Sequence, residues 1–229
     1  MPNIKTQSII DYFLGLNKKV FTINDVARLT GKRKAYLSRL LPTNSKFKRI
    51  EKGKYYVDDP DVYEIASNIV NPSYISLMSA FTYNGLTTQM PVKISVITTL
   101  RHKKMNFNGM AIDFITLDAG RIFGYKKVEN IRIATAEKSF VDSLYLSDPP
   151  YADIEEAFEK AVSEGILNFD RLKEYAIEMM SGPLINRLGF LLDSFAVDAG
   201  SLLQYKAKRP VLLFGKGTKK NKKWGVLYD

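Results

Sequence analysis

Apolar residues recur at helical spacing from the start of the chain. In SIIDYFLGL, residues 8–16, Ile9, Ile10, Phe13, Leu14 and Leu16 fall on roughly one face, which predicts a first packing helix. VFTINDVARLTG follows, with Thr22 three residues before Asp25, a capping-box spacing in which Asp stands for the usual Glu or Gln. Ile23, Val26, Ala27 and Leu29 give that second helix a short apolar face, and Gly31 is placed to end it. Lys32 to Leu41 predicts a third helix stopped by Pro42, with Leu37, Leu40 and Leu41 on one face and Lys32, Ala35, Tyr36 and Arg39 on the other. FKRIEKGKYYV then reads as a hairpin turning at Glu51-Lys52-Gly53. Two short helices around a glycine turn, followed by a Gly-tipped hairpin, predict a winged helix-turn-helix over residues 1–60.

Beyond residue 60 the pattern changes. DDPDVYEIASNIV predicts a connector helix with Pro60 in its first turn, and PSYISLMSAFTYNGL a further apolar helix capped by Ser73 and ended near Gly85. VKISVITTL, KMNFNG, AIDFITL and RIFGYKKV read as strands, with Asn108-Gly109-Met110 as a hairpin turn. IRIA precedes a helix opened by Thr135, and helices are expected near 152–163, 169–180 and over PLINRLGFLLDSFAV. RPVLLFG and KKWGVLYD flank a lysine-rich loop as a terminal hairpin. The expected fold class is α+β: a winged helix-turn-helix at 1–60, then a mixed α+β domain at 61–229.

Charge assigns a task to the first part. The net charge of +10 is made of +8 in residues 1–60, −5 in 61–200 and +7 in 201–229. Residues 30–54 alone hold nine Lys and Arg against one carboxylate, Glu51. Such a run with leucines threaded through it suits a helix held by its apolar face while a cationic face meets a polyanion. Lys32, Arg33, Lys34, Tyr36 and Arg39 are therefore candidate contacts in a DNA major groove. Lys48, Arg49, Lys52 and Lys54 on the hairpin are candidate phosphate or minor-groove contacts. Double-stranded DNA is favoured over RNA because a helix cannot enter the narrow major groove of A-form RNA. Lys216, Lys219, Lys220, Lys222 and Lys223 form a second basic run, either a solvated loop or a further phosphate contact.

The chain has no cysteine and a single histidine, His102, so disulfides, thiolate chemistry and His- or Cys-based metal sites are excluded, and no metal or cofactor is expected. No signal peptide and no window of 18 uncharged apolar residues is apparent, so no membrane partner is expected and a cytoplasmic location is.

The order of the pieces carries a resemblance. SLMSAFTYNGLTTQMP, then VITT, then ATAEKSFVDSLYL, then INRLGFLLDSF behind the expected winged helix-turn-helix, resembles the AbiEi family over nearly the whole chain. These are antitoxins and transcriptional autorepressors of type IV toxin–antitoxin systems. The resemblance implies binding at promoter inverted repeats, with a dimer on DNA. It also implies neutralisation of a nucleotidyltransferase-like toxin, in this family usually without a stable complex. A regulator whose second domain senses a ligand or partner, with no toxin attached, is the alternative.

An enzyme is not expected. Asp113, Glu137 and Lys138 include carboxylates and a lysine of the kind nucleases use, but such sites alternate Glu and Lys on one strand, and here the two are adjacent. GKGTKKNKK and GRIFGYK lack phosphate-loop spacing, and neither a Gly-Ser strand–helix turn nor the paired carboxylates of a nucleotidyltransferase appear. His102, between cations and without a triad context, reads as a surface residue. Arg187 reads as a structural bridge to Glu178 or Asp193, and Trp224 as packing the last strand on the core.

Overall fold

The computed structural model describes residues 6–229. It begins with α1 (Thr6–Gly15), β1 (Val20–Thr22), α2 (Ile23–Thr30), α3 (Lys34–Leu40), β2 (Lys48–Glu51) and β3 (Lys54–Tyr56). The three strands form an antiparallel sheet in the order β1-β3-β2. Ile9, Ile10, Phe13, Phe21, Val26, Leu37, Leu41, Phe47 and Tyr55 bury one another beneath it. The aromatic members stack closely, with Phe13 and Phe21 parallel at 4.4 Å. The apolar spacing of the sequence thus places each helix, but Leu14 and Leu16, expected on the packing face of the first, are exposed, because α1 ends at Gly15 and only Ile9, Ile10 and Phe13 turn inward. The third, however, begins at Lys34 instead of Lys32, because Gly31 takes a left-handed φ of 66° and Arg33 is extended as the N-cap.

The chain continues through α4 (Val62–Ile69), β4 (Ser73–Ile75), α5 (Leu77–Tyr83), β5 (Lys93–Thr98), β6 (Met105–Phe107), β7 (Met110–Thr116), β8 (Tyr125–Val128) and β9 (Ile131–Ala134). These strands make a six-stranded mixed sheet in the order β6-β7-β5-β4-β9-β8. The β4–β9 and β5–β7 pairs are parallel and the other pairs antiparallel. Asn108 and Gly109, both at positive φ, form the two-residue turn between β6 and β7 that the sequence predicts. Four helices follow and pack around a core of their own: α6 (Ala136–Leu146), α7 (Tyr151–Ser163), α8 (Phe169–Glu178) and α9 (Gly182–Ser194). A last small sheet joins β10 (Val211–Leu212), β11 (Lys219–Asn221) and β12 (Val226–Tyr228). The architecture is α+β.

Several local expectations change. PSYISLMSAFTY is not one helix: Ser73–Ile75 is a buried strand between β5 and β9, and α5 starts only at Leu77. Ser73 caps nothing and instead donates its hydroxyl to the Ser67 and Val70 carbonyls. Tyr74 and Ile75 supply the aromatic and β-branched side chains that a central strand packs best, and the neighbouring strands satisfy their backbone. α4 is capped by Asp61, whose side chain accepts from the Glu64 N–H, so Pro60 lies before the helix. RIFGYKKV is a short 3-10 turn at Ala119–Arg121 followed by β8. The terminal hairpin is really a three-stranded sheet, because β10 pairs in parallel with β12.

Two further cores lie beyond the first. One fills the helical side around Phe140, Phe158, Leu188 and Trp224. The other lies on the sheet around Tyr74, Val96 and Ile133, and reaches Val20, Ile50 and Tyr56 of the N-terminal part.

Candidate nucleic-acid interface

α2 is set at both ends. The Thr22 hydroxyl accepts from the Asp25 N–H at 3.2 Å, and the Asp25 carboxylate accepts from the Thr22 N–H at 2.7 Å, completing the capping box. Gly31 donates to the Ala27 carbonyl, and its left-handed turn aims α3 across α2. Val26 and Leu37, both fully buried, seal that crossing, while Leu40 is only half-buried.

The outer surface of α3 is cationic. Arg33, Lys34, Tyr36 and Arg39 are exposed, and none of Lys32, Arg33, Lys34 or Arg39 forms an ion pair among the described residues. Lys32, one residue before the cap, sits over the Tyr36 ring at 5.0 Å. Tyr36 and Arg39 lie on one side of α3, Lys34 lies about 140–160° round the helix from them, and Lys32 and Arg33 belong to the turn and not to the helix.

The hairpin differs from the expectation. Lys52, at its tip, and Arg49 are exposed without an ion pair among the described residues. Lys48 pairs with Asp59 at 2.6 Å, Lys54 with Glu51 at 2.5 Å, and the Arg49 Nε donates to the Glu51 carbonyl. The Lys48–Asp59 bridge is half to three-quarters exposed, so it is weak and a phosphate can replace the carboxylate. Lys54 is held more firmly, because Glu51 also meets His102 Nε2 at 3.1 Å. Burial alone would raise Glu51, but Lys54 and His102 outweigh it and hold the carboxyl below its ordinary value. His102 is not the free surface residue expected. Its ring lies 4.4 Å from Phe114 and ties the hairpin to the larger sheet.

At the other end of the chain, Lys219 and Lys220 lie on β11, and Lys216 and Lys222 are exposed beside it. Lys223 is occupied: it pairs with Asp193 at 2.7 Å, and the same carboxylate accepts from the Trp224 indole. The lysines expected in a single loop are thus divided between a strand, its turns and an ion pair. Trp224 is fully buried in the helical core, as expected. Arg187 meets neither Glu178 nor Asp193. It donates to the backbone carbonyls of Leu144, Tyr145 and Leu212, complementing the negative end of α6.

The acidic residues weighed for catalysis are scattered. Asp113 is neutralised by Lys93 and Lys104, at 3.3 and 3.0 Å. Glu137 accepts from the Asn168 N–H. Lys138 is fully buried against Asp142 at 2.5 Å, and Asp142 also accepts from the Tyr74 and Ser76 hydroxyls. No group of three or more His, Cys, Asp or Glu side chains suited to a metal occurs among the described residues. No helix among them is long and apolar enough to cross a membrane. The Lys138–Asp142 network escaped sequence reading because its i, i+4 spacing looks like an ordinary surface pair, and only tertiary burial sets it apart.

No family model and no curated protein matches the chain. Among solved structures it resembles the crystal structure of the RV2827C protein from Mycobacterium tuberculosis, with a TM-score of 0.60 at 16% identity, over 96% of this chain and 89% of that one. At that identity the likeness extends to the fold alone.

Proposed function

We propose that the N-terminal part is a winged helix-turn-helix and that the protein is a DNA-binding transcriptional autorepressor, with residues 61–229 acting as an AbiEi-type antitoxin domain against a nucleotidyltransferase-like toxin. One observation carries the DNA half: Arg33, Lys34, Tyr36 and Arg39 are all exposed on or just before α3, with no carboxylate paired to any of the three cations among the described residues. A helix so charged, held by Val26 and Leu37 behind it, is built to place Arg and Lys at base edges, while Lys52 and the loosely paired Lys48 hold phosphates. The antitoxin half is supported by the resemblance of SLMSAFTYNGLTTQMP and ATAEKSFVDSLYL alone. No reaction is assigned to the protein.

The test is binding to the DNA upstream of its own gene against a scrambled duplex, across a salt series. Preference for the native fragment, lost in Arg39→Ala, supports the reading; equal binding to both duplexes overturns sequence-specific repression. Co-expression with a neighbouring nucleotidyltransferase-like reading frame tests the antitoxin half, which stands only if growth is rescued.

A further inference from the structure

A cleft of about 290 Å³ opens between the N-terminal part and the larger sheet. Asn24 and Arg28 line it from α2, and Asn68, Asn71 and Arg132 from the other side. Lys18 completes the wall. Three cations face one carboxylate, Asp25, which is already engaged with Thr22 and with Lys18 at 3.2 Å. Arg28 makes no hydrogen bond or ion pair among the described residues, and neither do the side-chain amides of Asn24 and Asn71. Arg132 is fixed by the backbone carbonyls of Ser67, Val70 and Ser73 through Nε and Nη2, which leaves its Nη1 without a partner among the described residues. It meets no carboxylate, and burial pushes its guanidinium below the ordinary value. Unmatched charge in a concave polar site calls for an anion, and forked guanidinium donors suit phosphate oxygens.

A second cavity, of about 270 Å³, adjoins the first and shares Lys18, Asp25 and Arg28 with it. Its other walls are Tyr12, Phe13, Leu16 and Leu29. Tyr12 is half-exposed and meets Phe13 edge-on at 5.5 Å, which leaves its ring open to a flat partner. The polar cleft and the aromatic one therefore form a continuous site with a cationic end and a stacking end.

We propose that this joint site binds a nucleotide, with the phosphate between Arg28 and Arg132 and the base against Tyr12. No residue of α3 or of the β2–β3 hairpin lines either cavity, so the ligand and a duplex on α3 do not compete for side chains. Because the site is walled by both α2 and β9, an occupant bridges the N-terminal part and the sheet. A consequent effect on DNA affinity rests on the function proposed above; the binding itself does not.

The test titrates the full chain, without DNA, with adenosine, guanosine and cytidine 5′-monophosphates by calorimetry and by amide chemical shifts. Inorganic phosphate and adenosine serve as half-ligands. Arg28→Glu is the chief variant, since its side chain is exposed and holds no other contact; Tyr12→Ala probes the stacking end. Expected are shifts at Arg28, Arg132 and Tyr12 with at least one nucleotide, weaker binding of each half-ligand, and a loss of about tenfold or more in Arg28→Glu. No binding of any of the three at millimolar concentration overturns the proposal, as does binding that Arg28→Glu leaves unchanged. Displacement of the nucleotide by a short duplex would assign the cations to DNA phosphate and overturn it equally.

Discussion

Replacing Lys138 by Met is the sharpest test of how the second part of the chain is held together. Lys138 and Asp142 are both fully buried, 2.5 Å apart on one face of α6, with the lysine N-terminal to the aspartate, the weaker orientation for a surface helical pair. The pair is therefore better read as a tertiary link than as helix reinforcement. Asp142 accepts from Tyr74 on β4 at 3.0 Å and from Ser76, the residue before α5, at 2.8 Å, while the ammonium lies 4.3 Å from the Phe123 ring centre. Ser76 gives its hydroxyl to Asp142 instead of capping α5, so one carboxylate joins the strand and two helices. Methionine fills the lysine volume but leaves the carboxylate without its cation, which costs about 3–5 kcal/mol. For a chain of this size each kcal/mol lowers Tm by about 2–4 °C, so a loss of about 6–20 °C is expected. Asp142→Asn strands the ammonium and should cost a similar amount. The double variant should cost less than the two together by about 1–3 kcal/mol, because the second change removes a charge already stranded. Urea denaturation followed by circular dichroism measures all three. A Lys138→Met loss under about 1 kcal/mol, or strict additivity in the double variant, would refute the view of the pair as a linked buried unit.

Thr22→Ala removes the cap of α2 and should cost about 1 kcal/mol near neutral pH. Burial would raise Asp25, but the Thr22 N–H and hydroxyl and Lys18 together hold it below its ordinary value. Its stabilisation is therefore present above the ordinary carboxylate range and lost as pH falls through the lowered folded value. Thr22→Ala keeps the backbone N–H on Asp25, so it should flatten that acid limb only in part in a pH series of thermal melts; an unchanged limb would remove the hydroxyl as a contributor. Gly189→Ala drives a methyl group into the face of Trp224, since any Cβ at that position overlaps the indole. The expected loss is about 1–3 kcal/mol, with a red shift of the fluorescence of the only tryptophan, and unchanged emission would contradict that packing. Arg33→Ala and Arg39→Ala separate the two kinds of DNA contact. A phosphate contact lowers the slope of log affinity against log salt by about 0.9 and weakens all duplexes alike. A base contact costs about 1–3 kcal/mol on the native site only. Variants that change neither quantity would remove α3 from the interface.

The N-terminal part was legible from the residues because its signals are local. The Thr22–Asp25 spacing, Gly31, the leucines of α3 and the Gly53 turn act within a few residues of one another, and each appears in the structure at or beside its expected place. Asn108-Gly109 is legible for the same reason. Tertiary partners decided the rest. Ser73–Ile75 looks like the start of a helix until β5 and β9 supply the hydrogen bonds that make it a strand. Charge patterning located the basic residues but not their partners: Asp59 takes Lys48 and Asp193 takes Lys223, and those pairings depend on segments meeting in space. Arg28 and Arg132 stand more than a hundred positions apart, and nothing in either neighbourhood shows that they share a cleft. Likewise, Lys138 and Asp142 are ordinary in sequence and fully buried only because β4, α5 and α8 close around them. The amino-acid order thus determined the short-range elements and where charge would concentrate. Only the packing of distant segments decided which charges are neutralised, which are buried and which remain open to a ligand, because electrostatic and burial energies depend on distance in space rather than on separation along the chain.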